Sequence, residues 1–284
     1  MRVATLRTSD GCRAARIDGD RAILLQFADV RDLLERPDWL TQAKAGGPDV
    51  ALETVAFAPL VPRPDKFFCV GFNYLAHIAE LKMEPPAYPS LFAKFARALI
   101  GARDPIAMPH ASEQVAWEVE LGVVIGRSVR AADRATARAA IAGYTIVNDV
   151  SVRDWQMRTR QALQGKTWER TTPLGPVLVT PDEVDDAVDL RIQTLIDGAI
   201  VQDSTTADMQ FSPADLISYI STFVTLDPGD IISTGSPSGV GLSRTPPRWL
   251  RSGETLTTRI AGIGELVNRC VDEDAWAPAT SKAP

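Results

Sequence analysis

The chain has 284 residues, 45% of them hydrophobic and 23% charged, with a formal net charge of −6. That length and composition suit a globular protein with a substantial core, in one large domain or a large domain plus a small one. The acidic balance, with no basic run interleaved with aromatics, excludes an electrostatic footprint for nucleic acid or an anionic membrane.

The start, MRVATLRTSDGCR, lacks the apolar core of a secretory signal, and no uninterrupted apolar run reaches the roughly 18 residues a bilayer span needs. Cys12, Cys69 and Cys270 are widely spaced and form no CxxC, so neither a disulfide framework nor a structural zinc site is supported. The expectation is a cytoplasmic protein with buried or incidental thiols. Within residues 1–65, RVATLR alternates like a strand, ARIDGDRAILLQF has the form of a hairpin turning at DGD, and ADVRDLLER has helical spacing. PLVPRPDK then reads as a linker, so these residues are expected to form a small N-terminal α/β domain.

From Lys66 onward the texture changes. FFCVGF is a short apolar strand, NYLAHIAELKM is helical, and PSLFAKF begins another strand-and-turn unit. WEVELGVVIG and GYTIVNDVS read as strands separated by the Ala-rich helix AADRATARAAIA, with Asp133 in its first turn. GPVLVT, DLRIQTLIDG, DIISTG and TLTTRIAGIGELVN add further strands, and PADLISYISTFVT is a helix with Pro213 in its first turn. AWAPATSKAP reads as a mobile tail. Many strands with few helices predict a mixed β-rich (α+β) fold, divided into residues 1–65, a main domain over 66–272 and a tail over 273–284.

Side chains alternate faces along a strand, so Glu118 and Glu120 share one face while Val119, Leu121, Val123 and Ile125 bury the other. Burying even one unpaired carboxylate costs several kcal/mol, so a sheltered face calls for a cation. Spacing alone also allows a strand end with a solvated acidic face. Asp149, at the end of GYTIVNDVS, joins the two glutamates if the strands lie side by side. Three carboxylates without Cys or His make a hard oxygen site, suited to Mg²⁺ or Mn²⁺ and poor for zinc. Arg153 and Lys166 follow Asp149 and are candidates for holding an anionic substrate.

His77 and Glu80 stand three residues apart, neighbours on one helical turn, where a carboxylate can orient an imidazole as a general base. A helix-surface histidine is equally compatible with that spacing. His110, in a proline-flanked loop, reads as a surface residue. DPGDIISTGSPSGVG ends a strand in a Gly-rich loop that leaves backbone N–H groups free near a ligand, but it lacks P-loop spacing.

Taken together, these segments resemble the fumarylacetoacetate hydrolase family over roughly Lys66 to Val271. CVGFNYLAHIAE is similar to the family's VGxNYxxHxxE element, and PSLFAKF resembles PxxFxK. WEVELGVVIG and GYTIVNDVSVRDWQ are similar to ExELxVVIG and GYxxxNDxSxRDxQ. GKTWERTTPLGPVLVT and LDPGDIISTGSPSGVG resemble GKxxDxxxPxGPxxVT and LxPGDxIxTGTPxGVG. The resemblance implies a mixed β-sandwich roll, a homodimer, and Mg²⁺ or Mn²⁺ held by Glu118, Glu120 and Asp149. It also implies a catalytic dyad of His77 and Glu80, and substrate contacts from Lys166, Arg153, Gln156 and Ser236. Two positions depart from the pattern: Glu169 replaces an aspartate, and Ser236 replaces a threonine.

The implied chemistry is metal-dependent cleavage of a C–C bond in a 2-oxo acid or 1,3-dicarbonyl, of the acylpyruvate or fumarylacetoacetate type, through a stabilised enolate. The alternative, on the same site, is an oxaloacetate-type decarboxylase or a 2-hydroxyhepta-2,4-diene-1,7-dioate isomerase. A binding module with a structural cation is a third possibility, against which the spacing of His77 and Glu80 speaks.

Overall fold

A computed structural model describes residues 1–278. The centre of the molecule is the strand Val119–Ile125, whose residues are all buried. It pairs antiparallel with Ile141–Asn148 on one side and with Ile231–Ser233 on the other. Strands buried on both faces read as near-continuous apolar runs, which is the texture of both VELGVVI and IAGYTIVN. The sheet continues through Phe67–Gly71, parallel to Ile231–Ser233, to Ser90–Ala93 at that edge.

In the other direction Ile141–Asn148 pairs with Thr172–Val179, and that strand pairs with Arg2–Thr8. Residues 1–65 therefore extend the same twelve-stranded sheet, through Gly11–Asp18, Arg21–Leu24 and Asp49–Ala51. The expected hairpin turns after Asp18, as DGD suggested. The boundary at residue 65 does not interrupt the sheet. Arg7 adds a side-chain tie across it, 2.6 Å from Asp104.

A second, five-stranded sheet runs Ala199–Thr205, Arg191–Ile196, Thr255–Ile260, Gly264–Asp272, Ile106–Met108. It packs on the first sheet: Leu121, Tyr144 and Val177 of one share a cluster with Ile192, Ile260 and Leu266 of the other. Two sheets face to face with few helices make the expected mixed β-sandwich. Helices are short. The longest, Pro213–Ser221, carries a reciprocal Ser212–Asp215 cap with Pro213 in its first turn, and Leu216, Ile217 and Ile220 enter the shared core. Asp133 is the N-cap of Arg134–Ala139, one step outside the first turn where the sequence reading placed it. Among the described residues no helix is long and apolar enough to cross a membrane.

The three cysteines are free; Cys69 and Cys270 are buried and Cys12 is exposed. The segment expected to be a mobile tail is packed at its start. Trp276 donates its indole N–H to the Pro105 carbonyl at 2.7 Å, and the Arg170 guanidinium lies 4.6 Å from its ring centre. Residues 279–284 of that tail lie outside the described residues.

Candidate active site

The pairing of Val119–Ile125 with Ile141–Asn148 sets Val119 opposite Asn148, and the Asp149 N–H donates to the Glu118 carbonyl at 2.8 Å. That register carries Asp149 to the face that Glu118 and Glu120 share. One oxygen from each of Glu118, Glu120 and Asp149 lies within 4.8 Å of the others, and all three residues are buried. The strand-end position matters: Asn148 accepts the Glu118 N–H on its side-chain oxygen, so the backbone there is held although the ladder is ending.

Three cations face the three acids. Arg153 engages one oxygen of Glu118, and Lys166 lies 2.5 Å from the other and 2.8 Å from Asp149 Oδ2. Lys94 lies 2.7 Å from Asp149 Oδ1. That contact is an ion pair without hydrogen-bond geometry, and Asp149 Oδ1, though buried, accepts no hydrogen bond. A buried carboxylate oxygen that accepts no hydrogen bond, beside two other acids, fits a hard divalent cation, whose ligand it would be in competition with Lys94. Both Glu118 oxygens are already engaged, so an entering dication competes with Arg153 or Lys166 for one of them.

Environment sets these groups apart. Burial works to raise the Glu118 carboxyl, but the Arg153 and Lys166 charges outweigh it and hold Glu118 well below its ordinary value. Burial would lower Lys166, yet the neighbouring Asp149 and Glu118 carboxylates raise it above the usual lysine range. Lys166 is therefore a fixed cation and a poor base. Glu120 accepts hydrogen bonds from Ser233 Oγ at 2.5 Å and from the Gly235 N–H at 2.9 Å, but among the described residues no cation contacts it. Burial, then the Asp149 and Glu118 charges, push it up to about 8 from 4.5.

A pH dependence follows. Between 4.5 and about 8 the native protein holds a proton on Glu120 that the unfolded chain has released. Metal-free stability therefore falls as pH rises through that window. A dication displaces the same proton, so affinity for Mg²⁺ or Mn²⁺ is expected to rise by up to about tenfold per pH unit below 8, with up to one proton released. Calorimetric titration in buffers of different ionisation enthalpy measures both quantities; a pH-independent affinity contradicts the expectation.

The helix Leu75–Glu80 places His77 Nδ1 2.9 Å from Glu80 Oε2, so the two side chains meet. Glu80 is held in turn, since its other oxygen accepts the Gly239 N–H at 3.1 Å. The Gly-rich loop thus does something other than the sequence reading expected: the N–H groups of Gly235 and Gly239 hold the protein's own carboxylates. Both glycines have positive φ, and an added Cβ would stand 2.9 Å from the Val70 carbonyl at Gly235 and 2.5 Å from that of Val201 at Gly239.

His77, Glu118, Glu120, Arg153, Gln156, Lys166 and Ser236 line one cavity of about 550 Å³. Asp149 lies behind its wall, paired to Lys166 and Lys94, and Glu80 backs His77. Arg153 also donates to the Gln156 side-chain oxygen at 2.8 Å, and Ser236 Oγ accepts from Gln202 at 2.9 Å. Glu169 is exposed and pairs with Arg97, away from the cavity, so its departure from the pattern does not reach the site. His110 is exposed in its loop and pairs with Asp274 at 3.0 Å.

Lys94 and Gln202 escaped the sequence reading. Lys94 lies inside the quoted PSLFAKF stretch, so its motif was visible and its contact with Asp149 was not. Gln202 comes from the second sheet and also accepts the Val119 N–H at 3.1 Å; no local pattern marks it.

The model of the fumarylacetoacetate hydrolase C-terminal domain matches residues 66–271. The chain belongs to the fumarylacetoacetate hydrolase family. Within it, the chain is 44% identical over 225 residues to the oxaloacetate tautomerase Fahd2a, mitochondrial, of Rattus norvegicus, covering 79% of this chain and 72% of that protein. A fumarylacetoacetate hydrolase of Exiguobacterium antarcticum superposes with a TM-score of 0.84 at 28% identity, over 96% of this chain and 99% of that one. The maleylpyruvate hydrolase of Sphingobium sp. SYK-6, in complex with manganese(II) and pyruvate, has a TM-score of 0.80 at 26% identity, over the same shares. Together with the acidic triad, this family membership supports an enzyme with a divalent metal. The expectation of a cytoplasmic protein is contradicted by the same comparison, in which the rat family member is named as mitochondrial. A start without an apolar core could not separate the two, since mitochondrial leaders are amphipathic, not apolar.

Proposed function

We propose that the protein catalyses metal-dependent keto–enol interconversion of a 2-oxo dicarboxylic acid of the oxaloacetate type. The observation that carries the reading is one cavity lined by His77, by two acids of the triad, and by Arg153 and Lys166. The rat relative named as an oxaloacetate tautomerase moves the weight from hydrolysis, the first expectation, to enolisation.

Glu118, Glu120 and Asp149 would hold a divalent cation, Mg²⁺ or Mn²⁺, which when bound would supply Lewis-acid polarisation of the 2-oxo group. Arg153 and Lys166 add positive charge beside it, and Gln156 and Ser236 offer polar atoms that orient the oxo-acid head. Glu80 accepts the Nδ1 proton of His77, which leaves the Nε2 lone pair free. His77 then takes the proton from carbon 3, the electron pair forms the C2–C3 double bond, and the 2-oxygen is protonated from solvent. The reverse sequence returns the proton to carbon 3. The reading includes a homodimer, which light scattering tests.

Hydrolysis is the second reading, supported by the maleylpyruvate hydrolase likeness, with His77 activating water in place of carbon 3. One panel with either metal separates the two: oxaloacetate, an acylpyruvate, fumarylacetoacetate and a hydroxy-diene-dioate. Enolisation predicts accelerated loss of the oxaloacetate enol absorbance without matching release of CO₂ or pyruvate. Fast acylpyruvate cleavage with no acceleration of the enol change would overturn it.

A further inference from the structure

The cavity holds a cation that is not engaged with the acidic triad. Arg153 and Lys166 are both spent on Glu118. Arg160 lines the same cavity, is exposed, and among the described residues its guanidinium makes no ion pair or hydrogen bond. Its neighbour Arg158 is not equivalent, because that guanidinium lies 3.6 Å from the Trp155 ring centre. The turn carrying Arg160 is built: Thr159 Oγ donates to the Gln161 carbonyl at 3.0 Å and accepts from the Gln164 side chain at 3.0 Å. The cavity walls also include Phe92, Val240 and Leu242, which offer nothing to a second charge.

We propose that Arg160 is a specificity-determining residue that binds a second carboxylate on the substrate, remote from the 2-oxo acid head. This rests on the enolisation reading only for placing that head at the triad. A planar guanidinium accepts a carboxylate through two parallel hydrogen bonds, and no competing acid contacts this one. The site then selects oxo diacids over oxo monoacids of similar length, and the substrate class is a dianion.

The test compares wild type, Arg160→Ala and Arg160→Lys on oxaloacetate and on its 4-ethyl ester, with saturating Mg²⁺. For Arg160→Ala, KM for the diacid is expected to rise roughly 10- to 100-fold with kcat little changed, while the ester is handled as by wild type. Arg160→Lys should recover part of the loss, because it keeps the charge and loses the fork. Equal losses on both substrates, or no loss on either, would overturn the proposal. If wild type turns over neither compound, the enolisation reading fails, and calorimetric binding of 2-oxoglutarate against 2-oxobutyrate still decides. Weakening confined to the diacid supports Arg160, and parallel or absent weakening refutes it.

Discussion

Asp149→Asn is expected to lower affinity for Mg²⁺ or Mn²⁺, and turnover with it, by more than about 100-fold, the scale that loss of an outer-shell partner alone can reach. Asp149 is wholly buried and answers two ammonium groups, Lys94 on one oxygen and Lys166 on the other. An amide keeps the shape and removes the charge. Lys166 still has Glu118, but Lys94 is left without a carboxylate in the interior. Breaking a buried pair from one side costs about 3–5 kcal/mol. There is an opposing effect, because the Asp149 charge also helps to push Glu120 up. Relief of that one repulsion is smaller than the loss of two close attractions, so the variant should be less stable as well as metal-poor. Calorimetric metal titration on the folded fraction, beside a denaturant melt, measures both. Normal affinity in a merely destabilised variant would remove Asp149 from the ligand set.

His77→Ala carries the second large effect. A positioned general base contributes about 10²- to 10⁴-fold, and the variant should lose oxaloacetate tautomerisation by that factor. Metal affinity should stay near wild type, since His77 is outside the carboxylate group. Glu80→Gln should fall between the two, because an amide oxygen still accepts the Nδ1 proton but does not stabilise a charged ring. Any CO₂ release from oxaloacetate should persist in His77→Ala, because breaking the C3–C4 bond takes no proton from carbon. Full tautomerase activity in His77→Ala would show that proton transfer uses another group.

What the sequence made legible was local or periodic. Two glutamates two residues apart on a strand, an acid at the end of another, and a histidine three before a glutamate are patterns along the chain, and each is where the motifs put it. What remained hidden depends on pairing between distant segments. Arg2–Thr8 alternates like any strand, and nothing in it announces Thr172–Val179 as its neighbour. Lys94 reaches Asp149 from a segment 55 residues earlier, and Gln202 reaches Ser236 from the other sheet. Trp276 was lost in an Ala/Pro-rich stretch whose composition says loop, although one indole suffices to anchor it. Charge balance was half visible: the acids were countable, but the partner of each acid was not.

The trio of Lys94, Lys166 and Arg153 has a consequence for handling the protein. Because these side chains already answer Glu118 and Asp149, and Ser233 and Gly235 hold Glu120, the polypeptide can reach its native form before any ion is loaded. A chelator should then switch the enzyme off while leaving a folded apoprotein, and adding the ion back should restore it without refolding.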